Sequence, residues 1–181
     1  MHCSLSSSAT VVDGPAAWLC STIRLTARLH GIEWDTSLFP RFAEVLGALH
    51  VRQAAELRER GHALPGAAAA LAALASCGVR QSVVTGNVRK AAEVKLSVFG
   101  LDTYLALSEG AYAEDGEERP GLLRTALARA GVAPERAVFF GDTPAVRTVA
   151  VATGRTSAGA LRDAVLDDLS GTDHVLAAVD H

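Results

Sequence analysis

The stretch VFFGDTP, residues 138–144, decides the fold class of this chain. Apolar residues rich in β-formers run directly into Gly-Asp-Thr, the pattern of a buried parallel strand. Such a strand would deliver the carboxylate of Asp142 and the hydroxyl of Thr143 to a crevice at its C-terminal end. The stretch therefore predicts an α/β protein with its chemistry at the ends of the strands.

A second junction of the same kind lies upstream, in SVVTGN at residues 82–87. It predicts a strand that feeds Thr85, Gly86 and Asn87 into the start of a helix. The exposed N–H groups and the dipole of a helix N-terminus favour negative charge, so these residues are candidates for anion binding. The alternative is that they only cap the helix. Together the two strand ends predict one shared anion or metal site.

Between and around these junctions, strand and helix patterns alternate, which predicts a parallel sheet with right-handed crossovers. The predicted strands cover residues 81–84, 104–107 and 137–140, and the predicted helices cover residues 67–76, 87–99 and 120–130.

Two amphipathic helices precede this alternation and predict an αα-hairpin. They cover residues 15–31 and 35–61, and Leu-Pro-Gly at residues 64–66 breaks the chain after them. We therefore place a boundary between a helical region at residues 1–63 and an α/β core at residues 64–181.

Length and composition restrict the functional class. A chain of 181 residues that is 49% hydrophobic can form one domain, or one domain with a small cap. The net charge of -3 argues against nucleic acid as a partner. No apolar run approaches the roughly 18 to 20 residues that span a bilayer, and the first residues lack the pattern of a secretion signal. We expect a cytoplasmic protein without a membrane partner.

The order of the two junctions resembles that of the haloacid dehalogenase-like (HAD) hydrolases. The resemblance extends to the segments LHGIE at residues 29–33, HVRQAAELRERGHALPGA at residues 50–67 and VAVATGRTS at residues 149–157. It implies a Rossmann-like parallel sheet with a small N-terminal helical cap. In this family the Thr of the first junction and the following helix N-terminus hold a phosphate, and the Gly-Asp of the second helps to hold magnesium.

The resemblance also assigns a role to Arg119, which precedes Pro120. It occupies roughly the place of the basic residue that family members direct at the phosphate. With Thr85, Gly86 and Asn87 it makes up the predicted anion-binding set, while Asp142 and Thr143 are the remnant of the family motif. The alternative for Arg119 is a solvated loop arginine.

The family nucleophile is missing from this sequence. HAD phosphatases carry an aspartate nucleophile at the end of the first strand, in an Asp-x-Asp-Gly-Thr motif, and attack on phosphorus forms an aspartyl-phosphate. One alignment matches VVDG, residues 11–14, to this motif and puts Val11 at the nucleophile position. The other, which we favour, assigns residues 12–14 to the cap, so that the first strand is missing and the sheet is incomplete. Both alignments leave no catalytic residue to assign.

The region after Asp142 departs from the family as well. A second acidic residue commonly follows four positions later, where this chain has Val146. Magnesium usually takes two carboxylates besides substrate and water, so we expect no specific metal site, and Asp142 capping its turn through Thr143 is the preferred interpretation. A parallel crossover takes about a dozen residues or more, so we expect residues 149–152 to run antiparallel or to lie outside the sheet.

Three hypotheses for function follow. The first is a degenerate HAD-like protein without phosphohydrolase activity that is a subunit of a homo- or hetero-oligomeric biosynthetic complex. In the second, the anion site is repurposed for elimination or cyclisation of a phosphorylated or sulfated small molecule. The third is a residual phosphatase that needs magnesium, held through Asp142; only this hypothesis implies a cofactor.

Overall fold

The computed structural model describes residues 9–14, 19–141, 148–151, 164–166 and 169–180. Within these residues the chain forms five strands and seven α-helices. In chain order they are β1 (Ala9–Gly14), α1 (Leu19–Leu29), α2 (Phe39–Arg52), α3 (Ala54–Arg60), α4 (Ala67–Ser76), β2 (Arg80–Thr85), α5 (Arg89–Val98), α6 (Arg119–Ala130), β3 (Ala137–Gly141), β4 (Thr148–Val151), β5 (Ala164–Leu166) and α7 (Thr172–Asp180).

The strands form one parallel sheet in the order β2-β1-β3-β4-β5. β1 lies between β2 and β3, with Gly14 opposite Thr85 and Val12 opposite Phe140. Because the strands are parallel, the C-terminal ends of β1, β2 and β3 lie at the same edge of the sheet. The α/β fold predicted from the two junctions is therefore present.

The prediction that the first strand is missing is wrong. Residues 9–14 pair along their whole length with β2, and the first four of them also pair with β3. Thr10, Val11 and Val12 are β-branched and favour the extended backbone. Their backbone groups also fill a gap that would leave buried donors and acceptors unpaired. The predicted boundary assigned this strand to the helical region, whereas it belongs to the sheet; the helical cap therefore consists of residues 19–60.

The expectation for residues 149–152 is also wrong, because β4 runs parallel to β3. Thr148, at the start of β4, lies opposite Phe139, only two residues before the end of β3. The chain therefore has to return only about 7 Å along the strand direction, since each residue of a strand advances about 3.3 Å. The minimum of about a dozen residues applies to parallel strands that start level with each other, whereas β4 starts opposite the last part of β3.

A third expectation, a strand at residues 104–107, is wrong in a different way. Two short 3-10 turns, Asp102–Tyr104 and Leu107–Glu109, occupy this part of the chain. The chain here nevertheless donates hydrogen bonds to carbonyl groups on the outer edge of β2. The N–H of Ala106 donates to the carbonyl of Gln81 at 2.8 Å, and the N–H of Ala111 donates to the carbonyl of Val83 at 2.9 Å. These separate hydrogen bonds cover the edge without a continuous ladder.

The core lies on both faces of the sheet, and β3 shows how the sequence divides it. Val138 and Phe140 pack with residues of α4 and α7, whereas Ala137 and Phe139 pack with residues of α6. This is the two-residue alternation expected of a strand that is covered on both faces. The alanine-rich α4 packs closely through Ala70 and Leu74, as its sequence predicts.

The helical cap packs on the core through α2 and α5. The second predicted helix is divided at Gln53 into α2 and α3. Gly47 of α2 allows a close approach, because a Cβ atom at this position would lie 2.7 Å from the Cβ of Lys90. None of the helices in the described parts of the chain is both long enough and apolar enough to cross a membrane.

We expect Gly47→Ala to destabilise the protein although alanine favours helix. The added methyl group would force α2 away from α5, and overpacking of this kind costs about 1 to 3 kcal/mol, more than the roughly 1 kcal/mol gained from helix propensity. Gly121→Ala in α6 is the matched control, since its nearest neighbour there is Arg124 Nη2 at 4.0 Å. Urea unfolding should show a loss for the first variant and no loss for the second; equal effects would contradict the close approach.

Candidate active site

The candidate site lies where β1, β2 and β3 end. Gly14 and Thr85 end adjacent strands opposite each other, and Gly141 is the last residue of β3. Asp142 and Thr143, which follow β3, lie outside the described residues, as does the predicted capping contact between them. The described part of the site is therefore built around Thr85.

Thr85 is buried, and its hydroxyl has a defined role. Its Oγ1 accepts the backbone N–H of Asn87 at 3.1 Å and the side-chain Nδ2 of Asn87 at 2.8 Å. A hydroxyl has two acceptor lone pairs and one hydrogen. Since both lone pairs are used, the hydrogen of Thr85 is left to donate to another acceptor. Thr85 and Asn87 are therefore held together at the end of β2, and their role in anion binding stays a prediction.

Asn87 is held in turn by Lys95, which sequence reasoning missed. The ammonium Nζ of Lys95 donates to Oδ1 of Asn87 at 2.8 Å. Burial lowers the pKa of Lys95, because the charged form is removed from water. The helical spacing of the sequence could have identified this residue. Lys95 lies seven, four and three positions after Val88, Ala91 and Ala92, which are buried, so it falls on the packed face of α5.

The start of α5 does not fit the capping interpretation of Thr85 and Asn87. Val88 is the residue before the helix and makes no side-chain capping bond. Instead, the N–H of Arg89 donates to both carboxylate oxygens of Glu114, at 2.9 and 3.0 Å. This carboxylate already neutralises the positive end of the helix dipole. An anion is therefore better placed at the Thr85 hydroxyl than at the helix terminus itself.

Two of the four acidic residues at positions 114–118 pair with arginines. Asp115 accepts two hydrogen bonds from the guanidinium of Arg129, at 2.6 and 2.8 Å, and this pairing holds the pKa of the carboxyl below its usual range. Glu117 accepts from Arg24 of α1 at 2.6 Å. These contacts fix the segment against α6, α5 and the helical cap. Among the described residues they leave no cluster of three metal-ligating side chains.

Tyr112 anchors the same segment from inside. Its side chain is fully buried, and its hydroxyl donates to the carbonyl of Leu107 at 2.7 Å. The guanidinium carbon of Arg89 lies 4.4 Å from the ring centroid, within the range of a cation–π interaction. Burial raises the pKa of Tyr112 to about 12. Tyr112 therefore connects the acidic segment to the first turn of α5.

Arg119 lies on a different element from the other predicted anion-binding residues. It is the first residue of α6, and it is partly buried. Since α6 leads back to the start of the parallel strand β3, its first residue lies toward the edge at which the strands end. Hydrogen bonds join Thr85 and Asn87, Gly86 lies between them in the chain, and Arg119 lies on a separate helix.

The family implies magnesium, and the described residues do not form a site for it. Mg²⁺ takes oxygen ligands in near-octahedral geometry, usually one or two carboxylates with substrate and water. Glu114 and Asp115 lie near the start of α5, and both already accept hydrogen bonds, Glu114 from the backbone N–H of Arg89 and Asp115 from the guanidinium of Arg129.

Comparison with known proteins agrees with the fold. The family model of the haloacid dehalogenase-like hydrolases matches residues 9–152. A search of curated proteins gives no match.

Several solved structures are similar over nearly the whole chain. CbbY from Rhodobacter sphaeroides, in complex with phosphate, is 20% identical with a TM-score of 0.65, covering 97% of this chain and 100% of its own. A family IA, variant 3 HAD hydrolase from Entamoeba histolytica is 12% identical with a TM-score of 0.66, covering 96% and 100%. A HAD family hydrolase from Deinococcus radiodurans, with bound phosphate and sodium, is 19% identical with a TM-score of 0.61, covering 97% of both chains.

At these identities the structures show a shared fold, and the family match extends from the first residue of β1 to just beyond β4. The chain belongs to the haloacid dehalogenase-like hydrolases.

Proposed function

We propose that this chain is a degenerate HAD-like protein without phosphohydrolase activity, acting as a subunit of a homo- or hetero-oligomeric, cytoplasmic, biosynthetic complex. The observation that carries the proposal is the position of β1. It lies inside the sheet, between β2 and β3, yet its sequence offers no nucleophile where the family mechanism needs one.

The register of β1 supports the alignment of Val11-Val12-Asp13-Gly14 with the family motif. Gly14 ends the strand opposite Thr85, so residues 11–13 lead up to the edge where Thr85 lies. On this alignment Asp13 takes the place of the acid/base carboxylate, and Val11 takes the place of the nucleophile. An isopropyl group has no lone pair with which to attack phosphorus, so no aspartyl-phosphate can form at this position.

The helical cap supports a role in association. Several large apolar side chains there are at least two-fifths exposed, and where exposed apolar side chains adjoin one another they mark association sites. The exposed side chains are Leu25, Leu29, Ile32, Leu38, Val45, Leu49 and Val51. Burial of such side chains against a partner is favourable at about 25 cal/mol per Å².

The absence of hydrolysis can be tested directly. With p-nitrophenyl phosphate and magnesium chloride, the purified chain should release phosphate no faster than buffer, and Asp13→Asn should not change this. Steady release that is abolished in Asp13→Asn or Asp142→Asn would instead establish the residual magnesium-dependent phosphatase.

Association needs a separate measurement. Light scattering after size exclusion should give the mass of an oligomer, or of a complex with a stoichiometric partner from the native host. Replacing Leu25 and Leu29 together by serine should shift the mass toward a monomer. A wild-type chain that remains monomeric and stable alone would overturn the subunit proposal.

One observation favours a second candidate, in which the anion site catalyses elimination or cyclisation of a phosphorylated or sulfated small molecule. The hydrogen of the Thr85 hydroxyl is left free by the two bonds from Asn87, so it can donate to a leaving group that departs with the bonding electron pair. Thr85→Ala should weaken binding of inorganic phosphate. Unchanged binding in that variant would remove Thr85 from the site.

A further inference from the structure

We infer that Lys95 is a positioning residue for the anion site, acting through Asn87 to direct the Thr85 hydroxyl toward a bound phosphate or sulfate group. The inference rests on the proposed anion site and extends it to a residue of α5.

The direction of each hydrogen bond around Asn87 follows from what each group can donate. An ammonium group can only donate, so its contact with Asn87 identifies the facing atom as the acceptor Oδ1. The amide nitrogen of Asn87 must then face Thr85, where it donates to Oγ1 at 2.8 Å. Lys95 thereby selects one of the two orientations of the amide.

The selected orientation decides what the Thr85 hydroxyl can do. With the backbone N–H of Asn87 also donating to Oγ1, both lone pairs of the hydroxyl are used. Its hydrogen is then available at the end of β2. If the amide of Asn87 turned over, Oδ1 would face Oγ1, and the hydroxyl would have to donate to it. A donor at the strand edge would be lost without any change in Thr85 itself.

The placement of Lys95 supports this role. Its side chain lies on the packed face of α5 with Val88, Ala91 and Ala92, where burying a charge is unfavourable unless it is compensated. A single amide oxygen compensates an ammonium only in part, because three donors are present. Lys90, on the same helix, is exposed and pairs with Glu93 at 3.6 Å. The two lysines therefore differ in burial and in partner.

The test uses inorganic phosphate and sulfate as probes, with binding followed through the backbone amide signal of Gly86 by NMR. Lys95→Met should weaken binding at least about tenfold, since hydrogen bonds to charged groups are the strong ones. Lys95→Arg should retain most of the affinity, and Lys95→Gln, which can still donate to Oδ1, should lie between them. Lys90→Met is the matched control and should bind as the wild type does.

A double-mutant cycle separates positioning from a general charge effect. In an Asn87→Ala background, Lys95→Met should cause little further loss. If the loss is as large as in the wild-type background, Lys95 acts by charge alone and the inference is overturned. It is also overturned if wild-type protein binds phosphate and all Lys95 variants bind equally well. If wild-type protein binds neither anion, the proposed anion site itself fails.

Discussion

Gly66→Ala is expected to lower the free energy of unfolding by about 4 kcal/mol or more. Losses of this size arise only from a few mechanisms, among them backbone strain and overpacking. Gly66 lies directly before α4 with φ at 77°, and a Cβ atom there would overlap the carbonyl oxygen and the carbonyl carbon of Leu169. Backbone atoms cannot turn aside as a flexible side chain can. Urea unfolding followed by circular dichroism measures the loss.

Gly78→Ala provides the matched control. Gly78 has nearly the same φ, 76°, but no atom lies within 4 Å of the position that a Cβ would take. This substitution should therefore show only the strain of the left-handed backbone, about 1 to 2 kcal/mol. The difference between the two variants isolates the contact with Leu169. Equal losses would show that the contact does not hold the chain together.

This contact explains why the glycine at the predicted boundary matters for the core. The peptide of Leu169 precedes α7, and α7 packs with α4 on one face of the sheet through Val175 and Val179. A glycine at residue 66 lets these two distant parts of the chain approach closely. The sequence signal of Leu-Pro-Gly predicted a break in the chain, but it could not show what the glycine would contact.

Local patterns predicted the elements that have a clear beginning and end. β2, β3, α4 and α6 were predicted within one or two residues, because a run of β-formers or a helical period meets Gly, Pro or a polar turn at each end. The predictions failed for segments whose structure depends on hydrogen bonds to other strands of the sheet. β1 and β4 were not predicted as strands of the parallel sheet, and their pairing with neighbouring strands is what shows where they lie.

The same division applies to the candidate site. Thr85, Gly86 and Asn87 adjoin one another in the chain, so a single junction predicted them together. Lys95 could have been identified from the helical period, which places it on the packed face of α5. The carboxylate of Glu114, by contrast, meets the N–H of Arg89 from 25 residues away, and only the fold brings them together. The lack of the family nucleophile was predicted from the sequence alone, because neither alignment with the family motif supplies it.

The stability of the chain should also fall steeply between pH 10 and pH 12 because of Tyr112. An unfolded tyrosine has a pKa of about 10, whereas burial raises the pKa of Tyr112 to about 12 in the folded chain. Between these values the folded state holds one proton more than the unfolded state, so stability is complete below pH 10 and is lost as the pH rises. The expected loss is about 3 kcal/mol.

Tyr112→Phe separates this effect from the titration of other groups in the same range. The variant loses the hydrogen bond to the carbonyl of Leu107, so at pH 7 it should be less stable by about 1 kcal/mol. It has no phenol at residue 112 to ionise, while Tyr104 and every lysine are retained. Urea midpoints measured from pH 8 to pH 11.5 should therefore converge and then cross, the wild type becoming the less stable protein at high pH. Curves that stay parallel would mean that the Tyr112 hydroxyl is not buried in the folded chain, and the anchoring of the acidic segment to α5 would need another explanation.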